Sequence, residues 1–137
     1  MIVGYTTGVF DLFHIDHVNI LRNAKSMCDK LIVGVTYKGK QSVIPFHERI
    51  EVVRACKYVD VAIPQQTIDK FESARKLNAS LLFVGDDWYN SDRWQEMEQK
   101  LDEVGCKVTY FPYTTGTSST LINQTLLNLR DGKEKAE

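Results

Sequence analysis

Apolar residues fall along this chain in two arrangements that take turns. Largely apolar runs occupy Ile2–Thr6, Leu31–Thr36, Val59–Ile63, Leu81–Val84 and Cys106–Phe111. Between them, apolar positions recur with helical spacing over 15–27, 45–56, 67–77, 92–104 and 118–129. Continuous runs predict strands buried on both faces, and the 3.6-residue period predicts amphipathic helices. Strict alternation implies parallel strands joined by crossover helices. The expected fold is α/β, a three-layer, doubly wound, five-stranded parallel sheet of Rossmann-like type. Ligands of such sheets bind beyond the carboxyl ends of the strands, where strand order reverses. Chemistry is therefore sought at residues 7–17, 37–40, 85–88 and 113–120.

Local punctuation supports these boundaries. Pro45 suits the first turn of its helix, where a missing N–H costs nothing. Asn78 suits a left-handed end to the third helix, and Gly105 a stop to the fourth. Ser91 or Asp92 is the expected cap of the fourth helix. Residues 1–130 read as one domain and 131–137 as a charged tail that frays.

Composition narrows the partners. The 137 residues carry a net charge of −1, so no general attraction to nucleic acid or an anionic membrane is expected. Any phosphate must be bound by a local cluster. The three cysteines, Cys28, Cys56 and Cys106, are widely separated and fit neither a disulfide framework nor a metal knuckle. No signal-peptide pattern and no apolar run near 18 residues is visible, which points to the cytosol and no membrane insertion.

The strongest chemical signal is Gly8-Val9-Phe10-Asp11-Leu12-Phe13-His14-Ile15-Asp16-His17. It lies where the first strand gives way to the first helix. With helix from Ile15, His14 and His17 share one side of its first turn. Unpaired N–H groups and the positive end of the helix dipole favour an anion there. The plainer reading is two polar, partly buried histidines at a helix start. Zinc is a weaker idea, because no nearby Cys or His completes a ligand set. Gly8 either leaves room for a ligand or makes a tight turn.

This run resembles the two-histidine signature of the nucleotidyltransferase superfamily. Other segments agree. Gly85-Asp86-Asp87-Trp88 is similar to the GDDW segment of glycerol-3-phosphate cytidylyltransferases, and Lys57-Tyr58-Val59-Asp60 to their RYVD segment. Thr114-Thr115-Gly116-Thr117-Ser118-Ser119-Thr120 resembles their RTEGISTT loop. The resemblance covers residues 2 to 128 and implies transfer of CMP from CTP to a small phosphorylated alcohol, with glycerol 3-phosphate favoured. It implies magnesium held mainly through the nucleotide phosphates, a homodimer with Asp60 near the subunit contact, and a role in cell-envelope synthesis. His14 and His17 would contact the triphosphate and stabilise the transition state. Lys38, Lys40 and Arg49 would assist catalysis. Gly8, Val9, Phe10, Gly85, Asp86, Asp87, Thr114, Gly116, Ser118, Ser119 and Thr120 would line the nucleotide. Asp11, Lys38, Arg49 and Trp88 would meet the acceptor, although the acid at position 11 also reads as a structural group by the turn.

Each of these has a plainer reading. Lys38 and Lys40 would lie in a solvated loop, shorter than the family's. Arg49 would be a surface arginine paired with Glu48 or Glu51. Ser118, Ser119 and Thr120 would only cap the last helix. Trp88 would pack across a strand end beside a polar turn.

Three positions depart from the family pattern. Asp16 stands where the family has glycine, Tyr113 where it has arginine, and Val9 where it has threonine. A carboxylate about 4–6 Å from a phosphate repels it by roughly 3–4 kcal/mol at an effective dielectric near 20. Alternatively, Asp16 only favours the helix dipole, by about 0.3–1 kcal/mol. The expectation is weakened triphosphate binding. Two rivals remain: an adenylyltransferase acting on another phosphorylated small molecule, and a nucleotide-binding homologue that has lost catalysis.

Overall fold

A computed structural model of the chain describes residues 1–37, 42–65, 70–85, 94–111 and 128–129. Among the described residues, five strands alternate with four helices: β1 (Val3–Gly8), α1 (Ile15–Ser26), β2 (Lys30–Thr36), α2 (Phe46–Ala55), β3 (Val61–Gln65), α3 (Lys70–Lys76), β4 (Leu81–Gly85), α4 (Trp94–Glu103) and β5 (Lys107–Phe111). All pairings are parallel, and the strand order is β3-β2-β1-β4-β5. The doubly wound α/β architecture read from the apolar pattern is the one observed. Of the fifth helical pattern, 118–129, only residues 128–129 are described, and both are helical.

The sheet separates two apolar clusters. Leu31, Val33 and Val35 of β2 pack with Leu21 and Ala24 of α1 and with Ile50 and Val53 of α2. Ile32 of the same strand joins Tyr5, Leu82 and Val84 against Phe71, Ala74 and Leu101 from α3 and α4. Alternate residues of one strand thus feed opposite cores, the two-residue period of a strand covered on both faces. Each fully buried aliphatic side chain contributes roughly 1.5–3 kcal/mol.

The helix ends predicted at Asn78 and Gly105 hold. Asn78 adopts φ 53° and Gly105 φ 82°. After Gly105 the chain turns back so that Cys106 N–H reaches Leu101 O at 2.9 Å. Pro45 is the N-cap of α2, one place before the first turn, and its carbonyl accepts from Glu48 and Arg49. The expected caps Ser91 and Asp92 lie outside the described residues.

The chain adds β2 and β3 on one side of β1, then returns to place β4 and β5 on the other. That reversal makes the end of β1 the topological switch point. The register shows a crevice opening there. β1 stays paired with β2 to Gly8↔Val35 but with β4 only to Thr6↔Phe83. Thr6 Oγ1 donates to Phe83 O at 3.2 Å, the last side-chain link before the two strands part.

Candidate active site

The turn from β1 into α1 sits at the mouth of that crevice. His14 is the N-cap of α1, with extended backbone at φ −145°. Its Nδ1 accepts the Asp16 N–H at 3.2 Å, and His17 Nδ1 accepts the His14 N–H at 3.1 Å. The two histidines thus cap the helix reciprocally, as a Ser and a Glu do in a capping box. The tautomers follow from these bonds. A neutral imidazole whose Nδ1 accepts must carry its proton on Nε2. Both rings are therefore Nε2–H donors. His14 Nε2 is buried and has no hydrogen-bond partner among the described residues.

The rings lie 4.4 Å apart, centroid to centroid. Phe13 stacks on His17 at 5.2 Å, and Phe10 tilts against it at 5.4 Å. Burial by these rings, reinforced by His14, lowers the His17 pKa to about 4, against weaker upward pulls from Asp16 and Asp11. His17 is neutral at pH 7. Phe13 was not among the sequence candidates. Its signal was its place four residues before His17, which carries no helical meaning because α1 begins at Ile15.

Around the pair, the structure gives several candidates other occupations. Phe10 is only 7% exposed and belongs to the core beneath α1. Its ring also fills the space over Gly8, where an added Cβ would come within 2.9 Å of it. The bare face of Gly8 is thus taken up by Phe10 itself. The Asp11 carboxylate accepts the N–H groups of Val43 and Ile44 at 2.8 and 2.9 Å. This is the structural role by the turn.

Arg49 is not the surface arginine of the plainer reading; it is 4% exposed. Its guanidinium donates to Val9 O at 2.7 Å, Ile44 O at 2.9 Å and Thr36 O at 3.0 Å. Burial lowers its proton affinity, and the Asp11 carboxylate partly restores it. Glu51 pairs instead with Arg54, at 2.7 Å. Arg49 and Asp11 together lash the β1–α1 turn to the end of β2 and to the segment entering α2. Asp60 makes a comparable tie within the chain, accepting from Lys25 Nζ at 2.6 Å and Leu31 N at 2.7 Å.

Gly85 ends β4 across the crevice from Gly8. Lys38, Lys40, Asp86, Asp87, Trp88, Tyr113, Thr114, Gly116, Ser118, Ser119 and Thr120 lie outside the described residues. Among the described residues no group of three or more Asp, Glu, His or Cys is gathered to hold a metal. Asp11 is committed to backbone N–H groups. Among the described residues, Asp16, beside His14, is the carboxylate left at the mouth as an oxygen donor. That set fits a magnesium ion carried mainly by a nucleotide's phosphates.

A family model described as cytidylyltransferase-like matches residues 5–126. The chain belongs to the cytidylyltransferase-like family. Among curated relatives, the glycerol-3-phosphate cytidylyltransferase of Staphylococcus aureus is 31% identical over 128 residues, covering 88% of this chain and 92% of its own. The FAD synthase of Archaeoglobus fulgidus is 35% identical over 108 residues, covering 74% and 78%. Among solved structures, a lipopolysaccharide core biosynthesis protein from Thermoplasma volcanium superposes with a TM-score of 0.69 at 25% identity, covering 85% of this chain and 99% of that one. The membership accounts for the two-histidine turn at the switch point of this cytidylyltransferase-like sheet. The paired names also show that the family includes relatives with different products. No helix among the described residues is long and apolar enough to cross a membrane.

Proposed function

We propose that this chain transfers a nucleoside monophosphate from a nucleoside triphosphate to a small phosphorylated acceptor, releasing pyrophosphate. The favoured pair is CTP and a phosphorylated alcohol, glycerol 3-phosphate first. The observation that carries the reading is the His14 Nε2–H, buried at a helix N-terminus without a partner among the described residues. An unmet buried donor costs about 1–3 kcal/mol and calls for an acceptor. A phosphoryl oxygen bound at the helix end would supply one.

In the reaction an acceptor phosphate oxygen attacks the α-phosphorus. The bond from that phosphorus to the bridging oxygen breaks, and pyrophosphate leaves with the electron pair. The protein's work is to hold these groups in line and to meet charge growing on the phosphoryl oxygens. The two cap bonds leave His14 and His17 each with an Nε2–H to donate to the phosphate. The first-turn amides of α1 add fixed positive ends. Phe10 and Phe13 exclude water around His17. Asp11 and Arg49 hold the turn in shape. A magnesium ion carried by the nucleotide phosphates would supply neutralising charge for the departing pyrophosphate.

CTP is favoured because the cytidylyltransferase likeness runs nearly end to end, over 88% of this chain and 92% of the relative. Adenylyl transfer from ATP is the second reading. It is favoured by the FAD synthases, which match a shorter stretch at 35% identity. A pyrophosphate-release screen separates them. It crosses CTP, ATP, GTP and UTP with glycerol 3-phosphate, FMN and other phosphorylated small molecules. Release with CTP and glycerol 3-phosphate is expected; release only with ATP installs the second reading. Binding of a triphosphate with no release from any pair removes the catalytic proposal. A homodimer in the cytosol belongs to the same reading, and light scattering checks the assembly.

A further inference from the structure

Asp16 is the second residue of α1, and its side chain is 17% exposed. No cation and no hydrogen-bond donor among the described residues reaches its carboxylate. The nearest basic atom is His14 Nδ1, 4.0 Å from Oδ2. That nitrogen already accepts the Asp16 N–H, so in the neutral ring it turns a lone pair, not a proton, toward the carboxylate. The close approach is no ion pair in this tautomer. His17, the other ring at the turn, uses its Nδ1 to accept the His14 N–H. The only positive field described at Asp16 is the helix end itself, and a bound triphosphate would compete for it.

Two anionic groups at one helix end are compatible when a cation lies between them. Magnesium bound to nucleotides is characteristically held by one or two carboxylates together with substrate phosphates. The Asp16 carboxylate lies 4.0 Å from the ring of the N-cap residue His14, beside the helix N-terminus where an anion is favoured. The hard oxygen donor needed is thus present at the place where the family pattern has no side chain.

We propose that Asp16 is a protein ligand for the divalent cation that enters with the triphosphate, so that the site admits the metal–nucleotide complex and rejects the metal-free nucleotide. The inference rests on the nucleotide-binding reading above. It recasts the departure at position 16: the charge that repels bare CTP retains its magnesium complex.

The test is calorimetric binding of CTP and of ATP to the full chain, with magnesium or with EDTA and no acceptor. Wild type, Asp16→Gly and Asp16→Asn are compared. For wild type, magnesium should tighten binding by at least about 30-fold. Both variants should narrow that ratio to within about threefold, chiefly by binding metal-free nucleotide better. Asparagine keeps the side-chain volume while removing the charge, which guards against a packing effect of glycine. Electron paramagnetic resonance of manganese–CTP gives a second readout: the signal should broaden on wild type more than on Asp16→Asn. Equal metal ratios in wild type and both variants overturn the role of Asp16 and leave nucleotide binding standing. If wild type binds neither CTP nor ATP under either condition, the proposed function falls, and this inference with it.

Discussion

Replacing Arg49 by methionine separates a buried clamp from a surface charge. The guanidinium donates three hydrogen bonds, at 2.7, 2.9 and 3.0 Å, to the carbonyls of Val9, Ile44 and Thr36. Ile44 O keeps a second donor, Ser42 Oγ at 3.0 Å, so the loss falls mainly on Val9 and Thr36. A hydrogen bond to a charged group contributes about 1.5–3 kcal/mol, and removing one partner of a buried charged contact costs about 3–5 kcal/mol. Methionine restores part of the packing over Phe46, whose ring lies 5.6 Å from the guanidinium carbon. The expected cost is about 3–4 kcal/mol, a large part of the 5–15 kcal/mol typical of a domain. With a urea slope near 2 kcal/mol per molar, the unfolding midpoint should fall by roughly 1.5–2 M. Arg49→Lys, which replaces the three-way fork by a point charge, should lie about halfway. Glu48→Gln and Glu51→Gln should stay within about 0.5 kcal/mol of wild type. Urea unfolding followed by circular dichroism reads all four. An Arg49→Met midpoint within 0.5 M of wild type would refute the clamp.

Further predictions rest on single features. His14→Ala removes both the donor and the helix cap; it should lower kcat for pyrophosphate release by about 10²–10³-fold and stability by about 1 kcal/mol. A loss confined to stability would remove His14 from the chemistry. His17 has an ordinary pKa of 6.5 and a folded value of about 4. Between these the unfolded chain takes up a proton that the folded chain refuses, so stability should fall as pH drops from 6.5 to about 4, then level off. His17→Asn should remove that part of the slope in pH-dependent unfolding, and an unchanged slope would contradict the burial of His17. Gly34→Ala puts a Cβ 2.9 Å from Gln65 Oε1 and against the Tyr5 hydroxyl, which donates to that oxygen. Thermal unfolding should show a loss of about 1–3 kcal/mol. Tyr5→Phe in the Gly34→Ala background should recover part of it; no recovery would place the clash elsewhere.

The sequence made the architecture readable because buried parallel strands announce themselves as apolar runs. Their ends were less readable. β1 continues through Thr7 to Gly8 and β3 through Pro64 to Gln65, past the apolar run in each case, because the ladder is a backbone property. Gly8 still pairs with Val35 and Gln65 with Thr36, whatever their side chains. The histidines were readable because their roles are local, fixed by a cap within four residues. The partners of Asp11 and Arg49 were not, because they are distant in sequence. Asp11 reaches Val43, and Arg49 reaches Val9, across separations that no periodicity encodes. Likewise, nothing local predicted that Phe10 would occupy the space over Gly8.

Those distant contacts bear on why a short motif can hold its shape. Phe10 and Leu12 both adopt left-handed backbone, at φ 53° and 52°. For residues with a Cβ this costs about 1–2 kcal/mol each, and it persists only where the surroundings impose it. The imposing groups can be named. Asp11, between the two strained residues, is fixed by the amides of Val43 and Ile44, and the carbonyl of Val9 just before them is fixed by Arg49. Phe10 is also locked by burial in the core. The strained turn is therefore bound from both sides by residues of α2 and the segment entering it. Its geometry sets the N-cap at His14, and the N-cap sets both imidazole tautomers through the two reciprocal bonds. An acid and an arginine that family resemblance places among substrate contacts thus act on the histidines through the backbone. Their loss should disturb the pair by releasing the turn that sets its cap.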